Sequence, residues 1–226
     1  MSSLRAVGKP IMSIDLAKRL VEALPAGRPG LFNPWLDRCT FDTPENGPEA
    51  RFERLAAHLN CEARWILVGE APGYQGCRYS GVAFTSERLL LDGEVPRQAN
   101  PGARLSRRNR PFSEPSATIV YRAMKRAGIE GTTVLWNALQ LHPHLPDQPW
   151  TNRTPAPHEL AYGAKALHRL VEAYPRARVV AVGRKAAELL AGSRIAVVAA
   201  IRHPANGGAA LFTGGLMATT NHVGQG

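Results

Sequence analysis

Apolar residues follow two different spacings along the chain, and each spacing predicts one kind of secondary structure. The spacing of an amphipathic helix occurs at residues 13–24, 50–60, 86–91, 116–127, 157–173 and 184–190. Mostly apolar runs of strand length, rich in β-branched residues, occur at 65–68, 132–136, 177–182 and 195–200. Because helices and strands alternate, the pattern predicts an α/β fold, a single domain with a central, mostly parallel β-sheet flanked by helices.

No internal repeat or linker divides the chain, so we expect one domain over residues 1–226, with a helical N-terminal part at 1–60 and the site-bearing core at 64–204. Hydrophobic residues make up 44% of the chain, enough to fill a core, and the formal net charge is +10. The sequence contains no apolar run of about 18 residues, as a membrane helix would need, and its first residues lack the apolar stretch of a signal peptide. We therefore expect a cytoplasmic protein with no membrane partner.

The three cysteines, Cys39, Cys61 and Cys77, are far apart, and none belongs to a C-x-x-C pair. Zinc and iron–sulfur centres usually take four ligands, with thiolates in close pairs. We therefore expect neither a metal nor a cofactor. His142 and His144 leave a metal site at that loop as an alternative, although no thiolate lies near them in the sequence.

A long basic segment at 93–115 reads as a loop, because a proline and a glycine interrupt it. Its arginines are Arg97, Arg104, Arg107, Arg108 and Arg110. Two interpretations stay open. The loop is a solvated surface that aids solubility, or its guanidinium groups contact phosphates.

Three of the predicted strands end in residues that carry chemistry. The first runs into Glu70 within the turn GEAPG at 69–73, the second into Asn137 and the last into His203. Because the carboxyl ends of parallel strands lie at one edge of a sheet, we expect these side chains to share one pocket. No second acid follows another strand, which disfavours a mechanism with two carboxylates.

These residue types fit a pocket for a flipped nucleobase. The amide of Asn137 can read the donor and acceptor edge of a planar base. The imidazole of His203 and backbone N–H groups can stabilise charge on a carbonyl oxygen. Glu70 can position water or stabilise a cation, and Phe84 offers a stacking face. Together with the basic charge, they predict a protein that binds nucleic acid and extrudes a base.

Several segments resemble the uracil-DNA glycosylase superfamily in order and spacing across roughly residues 64–204. They are GEAPG (69–73), GVAF (81–84), WNA (136–138), NRTPAPHEL (152–160), VVAVGRKAAELL (179–190) and RHP (202–204). The resemblance is closest to the thermostable-type branch, often called family 4, to which GEAPG and N-R-x-P-x-P are quite specific.

The resemblance implies roles at the matching positions. It implies uracil contacts from Gly69, Glu70, Ala71, Phe84 and Asn137, and makes His203 the group that steadies the departing uracil anion. The implied DNA contacts are a phosphate-binding turn at Gly183, Arg184 and Lys185, together with Arg202, Pro204 and Asn206 at a loop that enters the minor groove.

At several positions the sequence differs from the family that it resembles. The iron–sulfur branch holds its cluster with four cysteines, but two aligned cluster positions here are Leu141 and Gly163, so no cluster is expected. Other superfamily members carry Asp or Asn at the position of Ala71, which leaves Glu70 to handle water. The position of Gly73 carries a thymine-excluding tyrosine in the best-known branch, and Tyr74 is a candidate substitute.

The resemblance therefore implies a monomeric, monofunctional DNA glycosylase of base excision repair. Its reaction would be hydrolysis of the N-glycosidic bond of deoxyuridine in DNA, with Glu70 and His203 as catalytic residues. Two alternatives stay open. The chain acts on another deaminated or mismatched base, such as hypoxanthine, xanthine or mismatched thymine, or it is an inactive relative that only binds nucleic acid.

Overall fold

The computed structural model describes residues 10–221 and confirms the predicted mixed α/β fold. Its helices are α1 (Pro10–Val21), α2 (Pro48–Leu59), α3 (Cys77–Ser80), α4 (Glu87–Leu91), α5 (Pro115–Ala127), α6 (Pro157–Ala173), α7 (Arg184–Ala191) and α8 (Ala209–Asn221). Its strands are β1 (Leu31–Phe32), β2 (Trp65–Gly69), β3 (Thr133–Asn137), β4 (His142–Pro143), β5 (Arg178–Val182) and β6 (Val197–Ile201). Residues 1–9 and 222–226 lie outside the described residues, so the domain bounds stay a prediction.

Four of the strands form one parallel sheet in the order β3-β2-β5-β6. Strand β2 pairs with both β3 and β5, and its last residue, Gly69, lies opposite Asn137. Strand β5 pairs with β6, where Val182 lies opposite Ile201. Because the paired strands run parallel and their ends are level, their carboxyl-terminal turns emerge together at one edge of the sheet.

The sheet is covered on both faces, which explains the unbroken apolar runs in β2, β3 and β5. Alternate residues of β2 enter different cores: Ile66 and Val68 pack with α1, α2 and α6, whereas Trp65 and Leu67 pack with α4, α5 and α8. Among the described residues 10–221, no helix is both long and apolar enough to cross a bilayer.

Two features were missed by the sequence pattern. The first is α8, whose buried Phe212 and Leu216 lie one turn apart on a helix that is otherwise apolar or small all round, so no amphipathic stripe reveals it. The second is a small antiparallel sheet, in which Leu31 of β1 pairs with Pro143 of β4. Strands of two residues are too short to produce a periodic signal.

The basic segment at 93–115 is organised around a buried carboxylate, Glu87 at the start of α4. Its two oxygens accept hydrogen bonds from Arg104 Nε (2.7 Å), the N–H groups of Leu105 (2.9 Å), Ser106 (3.2 Å) and Phe112 (2.9 Å), and Ser106 Oγ (2.7 Å). Burial acts to raise the pKa of Glu87, but these donors outweigh it and the pKa is lowered. One carboxylate therefore holds residues 104–106 and residue 112 of the loop together.

The arginines of this loop divide into two groups. Arg97 donates to the carbonyl oxygens of Gly131 and Thr133, each at 2.9 Å, and Arg104 pairs with Glu87, so both hold the fold together. The remaining three are exposed to solvent: Arg107, Arg108 and Arg110. Only these three are free to meet a partner such as a phosphate backbone.

We expect Glu87→Gln to lower the free energy of unfolding by about 3 kcal/mol, because an amide nitrogen would face buried N–H donors and Arg104 would lose its counter-ion. Denaturant unfolding of the variant and of Glu94→Gln measures this. Glu94 is an exposed acid of the same loop, 3.7 Å from Lys125, and its change should cost less than about 0.5 kcal/mol.

The sign of the pH dependence follows from the lowered pKa of Glu87. Its contribution to stability is complete above the unfolded-state pKa and is lost as the pH falls through the acid range. Stability should therefore decline more steeply with acid in the wild type than in Glu87→Gln. Equal stability of Glu87→Gln and Glu94→Gln, or equal acid profiles of the wild type and Glu87→Gln, would show that the Glu87 carboxylate does not organise the loop.

Candidate active site

A cavity of about 470 Å³ opens at the carboxyl edge of the sheet, within the range typical of small-molecule sites. The ends of β2, β3, β5 and β6 all contribute to its wall. It is lined by most of the residues that the sequence singled out: Glu70, Ala71, Phe84, Asn137, Gly183, Arg184, Lys185, Arg202, His203 and Asn206. Gly69 lies directly behind the wall, whereas Pro204 is buried and not among the lining residues.

The deep end of the cavity depends on the missing side chain of Gly69. A Cβ at this position would come within 2.6 Å of Phe84 Cζ and 2.8 Å of Asn137 Oδ1. Both distances are too short for real contacts, so only glycine lets the phenyl ring and the amide approach the same point. Phe84 holds its ring there with φ of 51°, a left-handed backbone conformation that is uncommon outside glycine.

The exit of β3 is pinned to the exit of β2 by main-chain hydrogen bonds. Ala138 N–H donates to the Gly69 carbonyl (2.8 Å) and Leu139 N–H to the Glu70 carbonyl (3.0 Å). The side chain of Asn137 is 5% exposed and makes no hydrogen bond to the described part of the protein. Its donor and acceptor are therefore both available to a molecule in the cavity.

Glu70 lies beside a cation rather than alone. Its Oε1 is 3.4 Å from Nζ of Lys185, which also donates to Thr154 Oγ1 at 2.7 Å. This pair connects the turn after β2 to the first turn of α7 and to the NRTP segment. Arg184 and Arg202 are exposed around the same cavity, so its rim is positively charged.

His203 faces Phe84 with a ring-centroid separation of 6.2 Å. Its Nδ1 accepts a hydrogen bond from the N–H of Ala205 at 3.1 Å, so the proton of the neutral ring lies on Nε2. Burial and, secondarily, the charge of Arg202 lower the pKa of His203. At neutral pH the imidazole is therefore an uncharged N–H donor on the cavity wall.

Tyr74 is not among the lining residues and does not take the thymine-excluding position proposed for it. Its ring packs edge-on against Tyr79 and Phe112, at centroid distances of 5.6 and 5.2 Å. Its N–H donates to Asn152 Oδ1 at 2.8 Å. These ring contacts with Tyr79 and Phe112 hold the Tyr74 ring outside the cavity wall. The space beside Gly73 stays open, because a Cβ on this glycine would have Asn152 Oδ1 as its nearest neighbour, at 3.9 Å.

His142 serves the fold rather than a metal. Its Nδ1 accepts from Arg78 Nη1 at 2.9 Å, and its Nε2 lies 3.0 Å from the Thr151 carbonyl and 3.1 Å from Asn152 Oδ1. Burial and then Arg78 lower the pKa of His142 to about 3. Both ring nitrogens are used, and residues 10–221 contain no cluster of three groups able to hold a metal ion.

Sequence reasoning missed two residues of the cavity wall, Cys77 and Glu114. Glu114 does not follow a strand, because it precedes α5 on the basic loop. The cavity therefore holds a second acid, although no second acid follows a strand. The available signal was the pair Glu114-Pro115 at the start of a predicted helix, which places the glutamate at a fixed helix end.

Comparisons with known proteins agree with this fold. The family model of the uracil DNA glycosylase superfamily matches residues 98–218. The crystal structure of wild-type SMUG2 from Pedobacter heparinus is similar, with a TM-score of 0.62 and 13% sequence identity over 95% of this chain and 99% of that chain. No curated protein sequence matches the chain.

The chain belongs to the uracil-DNA glycosylase superfamily, since the family model covers more than half of it. Membership indicates a glycosylase type of activity on DNA. The closer similarity to the thermostable-type branch stays a prediction.

We expect His203 to be neutral at neutral pH, with its proton on Nε2. Nitrogen NMR of histidine-labelled protein, assigned with His203→Ala, measures both the pKa and the tautomer. The predicted spectrum shows an unprotonated Nδ1 and a pKa below the ordinary histidine value. A ring that is charged at neutral pH, or protonated on Nδ1, would contradict the assigned hydrogen bond.

Proposed function

We propose that the protein hydrolyses the N-glycosidic bond of deoxyuridine in DNA, releasing uracil and leaving an abasic site. The observation that carries this proposal is the shared cavity. A carboxylate, a primary amide and a neutral imidazole line one wall, although Glu70, Asn137 and His203 are widely separated in the sequence.

The base would bind at the deep end of the cavity. Phe84 offers the face of its ring for stacking, and the unpartnered amide of Asn137 offers one donor and one acceptor to the edge of the base. Uracil presents a carbonyl oxygen next to an N–H group, which is the complement of an amide. Cytosine presents an amino group and an unprotonated nitrogen there, so the orientation of the amide about χ2 decides which of the two bases it matches.

The departing base would be stabilised as an anion. His203 offers Nε2–H to a carbonyl oxygen of the base. Its ring is neutral at neutral pH and acts as an uncharged hydrogen-bond donor. Fixed donors aimed at developing charge in a partly dry site typically contribute about a hundredfold or more in rate. No covalent intermediate is needed, since the sugar becomes cation-like as the bond stretches.

Glu70 would act on the sugar side of the reaction. A carboxylate near the deoxyribose favours the positive charge that develops on the ring, and it can orient the attacking water. Ala71 has no polar side chain to share this work. The contact with Lys185 holds the Glu70 carboxylate at the mouth, where the sugar–phosphate backbone would enter.

The charge around the cavity suits a nucleic-acid strand. Arg184, Lys185 and Arg202 surround the mouth, and Arg108 of the basic loop is exposed and stacks over Phe112. The basic loop thus continues the cationic surface of the mouth. Such a surface neutralises phosphates and keeps the strand in place while one nucleotide is extruded.

A second candidate function is excision of a different damaged base. The space beside Gly73 is open, and Tyr74 does not fill it, so this side of the cavity imposes little selection by size. A set of oligonucleotides that each carry uracil, hypoxanthine, xanthine or mismatched thymine separates the two candidates, because the true substrate gives the fastest cleavage after abasic-site treatment.

Asn137→Asp should reduce uracil excision by about a hundredfold, because a carboxylate in this buried position loses the donor and repels the leaving anion. Single-turnover excision from a uracil oligonucleotide measures the loss. Asn60→Asp, at an exposed position after α2, is the matched control and should retain wild-type rates. An Asn137→Asp enzyme that keeps the wild-type rate would remove this amide from the base pocket.

His203→Ala should slow bond cleavage by about a hundredfold and leave DNA affinity within about threefold of the wild type. Single-turnover rates and fluorescence anisotropy on the same oligonucleotide separate the two effects. His168→Ala, at an exposed position on α6, serves as the control. A parallel loss of rate and affinity would instead assign His203 to structure or DNA binding.

A further inference from the structure

Glu114 is a second carboxyl group in the wall of the cavity. Its backbone precedes α5, where Pro115 occupies the first turn and prevents the chain from continuing as a helix toward the N-terminus. The side chain does not cap its own helix. It turns instead toward the cavity, where Cys77 is the neighbouring titratable group.

The carboxyl group occupies space that Gly76 leaves empty. A Cβ on Gly76 would overlap Glu114 Oε2 and would lie 3.5 Å from the carbonyl oxygen of Thr85. Any larger residue would therefore displace the carboxyl group. Glu114 and the proposed stacking ring of Phe84 line the same cavity.

The two oxygens of Glu114 are used differently. Oε1 accepts a hydrogen bond from Ser116 Oγ at 2.6 Å, whereas Oε2 has no hydrogen-bond partner within residues 10–221. In that same part of the chain, no cation pairs with Glu114, in contrast to Glu70 with its Lys185. Burial raises the pKa of Glu114, and the bond from Ser116 offsets only part of that rise.

Building on the proposed function, we propose that Glu114 contacts the base in its protonated form and donates a hydrogen bond from Oε2 to a carbonyl oxygen of the flipped base. A charged carboxylate at this place would oppose the negative charge that develops on the departing base. A neutral carboxylic acid supplies a donor instead. The two carboxyl groups then have opposite roles. Glu70 stabilises the positive charge that develops on the sugar, and the neutral Glu114 donates a hydrogen bond to the base.

The other ionisable groups that line the cavity are Glu70, Cys77, Arg184, Lys185, Arg202 and His203, and all of them are unchanged in the Glu114 variants. Burial raises the pKa of the Cys77 thiol, so it stays neutral, and the lowered pKa of His203 places its titration on the acid side. Loss of activity with rising pH that disappears on changing Glu114 alone is therefore specific to this group.

The test compares wild type, Glu114→Gln, Glu114→Ala and the control Glu94→Gln, each checked for an unchanged unfolding temperature. Single-turnover uracil excision is measured from mildly acidic to alkaline pH. The wild-type rate should fall as Glu114 ionises. Glu114→Gln, whose amide N–H still donates, should stay within about threefold of the wild-type rate at the acidic end of the range and lose the decline with rising pH. Glu114→Ala should lose about a hundredfold throughout.

Two outcomes of the rate measurement would overturn the proposal. The first is a Glu114→Ala rate within about twofold of wild type, with the decline at rising pH unchanged in Glu114→Gln. The second is a wild-type rate that rises with pH while Glu114→Gln is inactive, since Glu114 would then act as a charged base.

A binding measurement keeps this test separate from the proposed reaction. Affinity is compared for an oligonucleotide with an uncleavable fluorinated deoxyuridine and for one with an abasic analogue, which has no base carbonyl. If the wild type excises no uracil, the proposed reaction is wrong. Glu114 still contacts the base if Glu114→Ala weakens binding to the deoxyuridine strand and not to the abasic strand, and Glu114→Gln weakens neither. An equal effect of Glu114→Ala on both strands, or no effect on either, overturns the contact.

Discussion

Parallel pairing of β2 with β3 and β5 is the constraint on which the site depends. The register sets Gly69 beside Asn137, and two main-chain hydrogen bonds continue this pairing into the turn that follows. The pairing of β5 with β6 brings the histidine turn to the same edge. Three distant segments therefore meet at one edge of the sheet.

Small residues then decide the shape of the cavity. Gly69 admits the Phe84 ring and the Asn137 amide, and Gly76 admits the carboxyl group of Glu114. A methyl group at either place would overlap atoms of the wall. The shape of the site thus depends on these two glycines as much as on the polar groups around them.

The strands and the residues at their ends were predictable, because buried parallel strands give unbroken apolar runs and their exits share one edge. Helix α8 was not, because its apolar residues surround the helix and give no amphipathic stripe. The role of Glu87 was also out of reach, since its partners lie across a long loop whose path no local spacing determines, and Glu114-Pro115 indicated a helix start but not a place in the cavity wall. The same loop path separates the structural Arg97 and Arg104 from the three exposed arginines.

Charge is distributed so that the interior donates hydrogen bonds and the rim attracts phosphates. Arg184, Lys185 and Arg202 stand at the mouth, while the neutral His203 and the amide of Asn137 face inward. This separation suits a reaction in which a base leaves as an anion from a strand held by its backbone.

The most direct measurement is a crystal structure of the protein with DNA containing an uncleavable fluorinated deoxyuridine. We expect an extruded uracil stacked on Phe84, with Asn137 at its edge and His203 Nε2 within hydrogen-bond distance of a carbonyl oxygen. A uracil that stays in the helix, or that binds outside the cavity between Asn137 and His203, would contradict it.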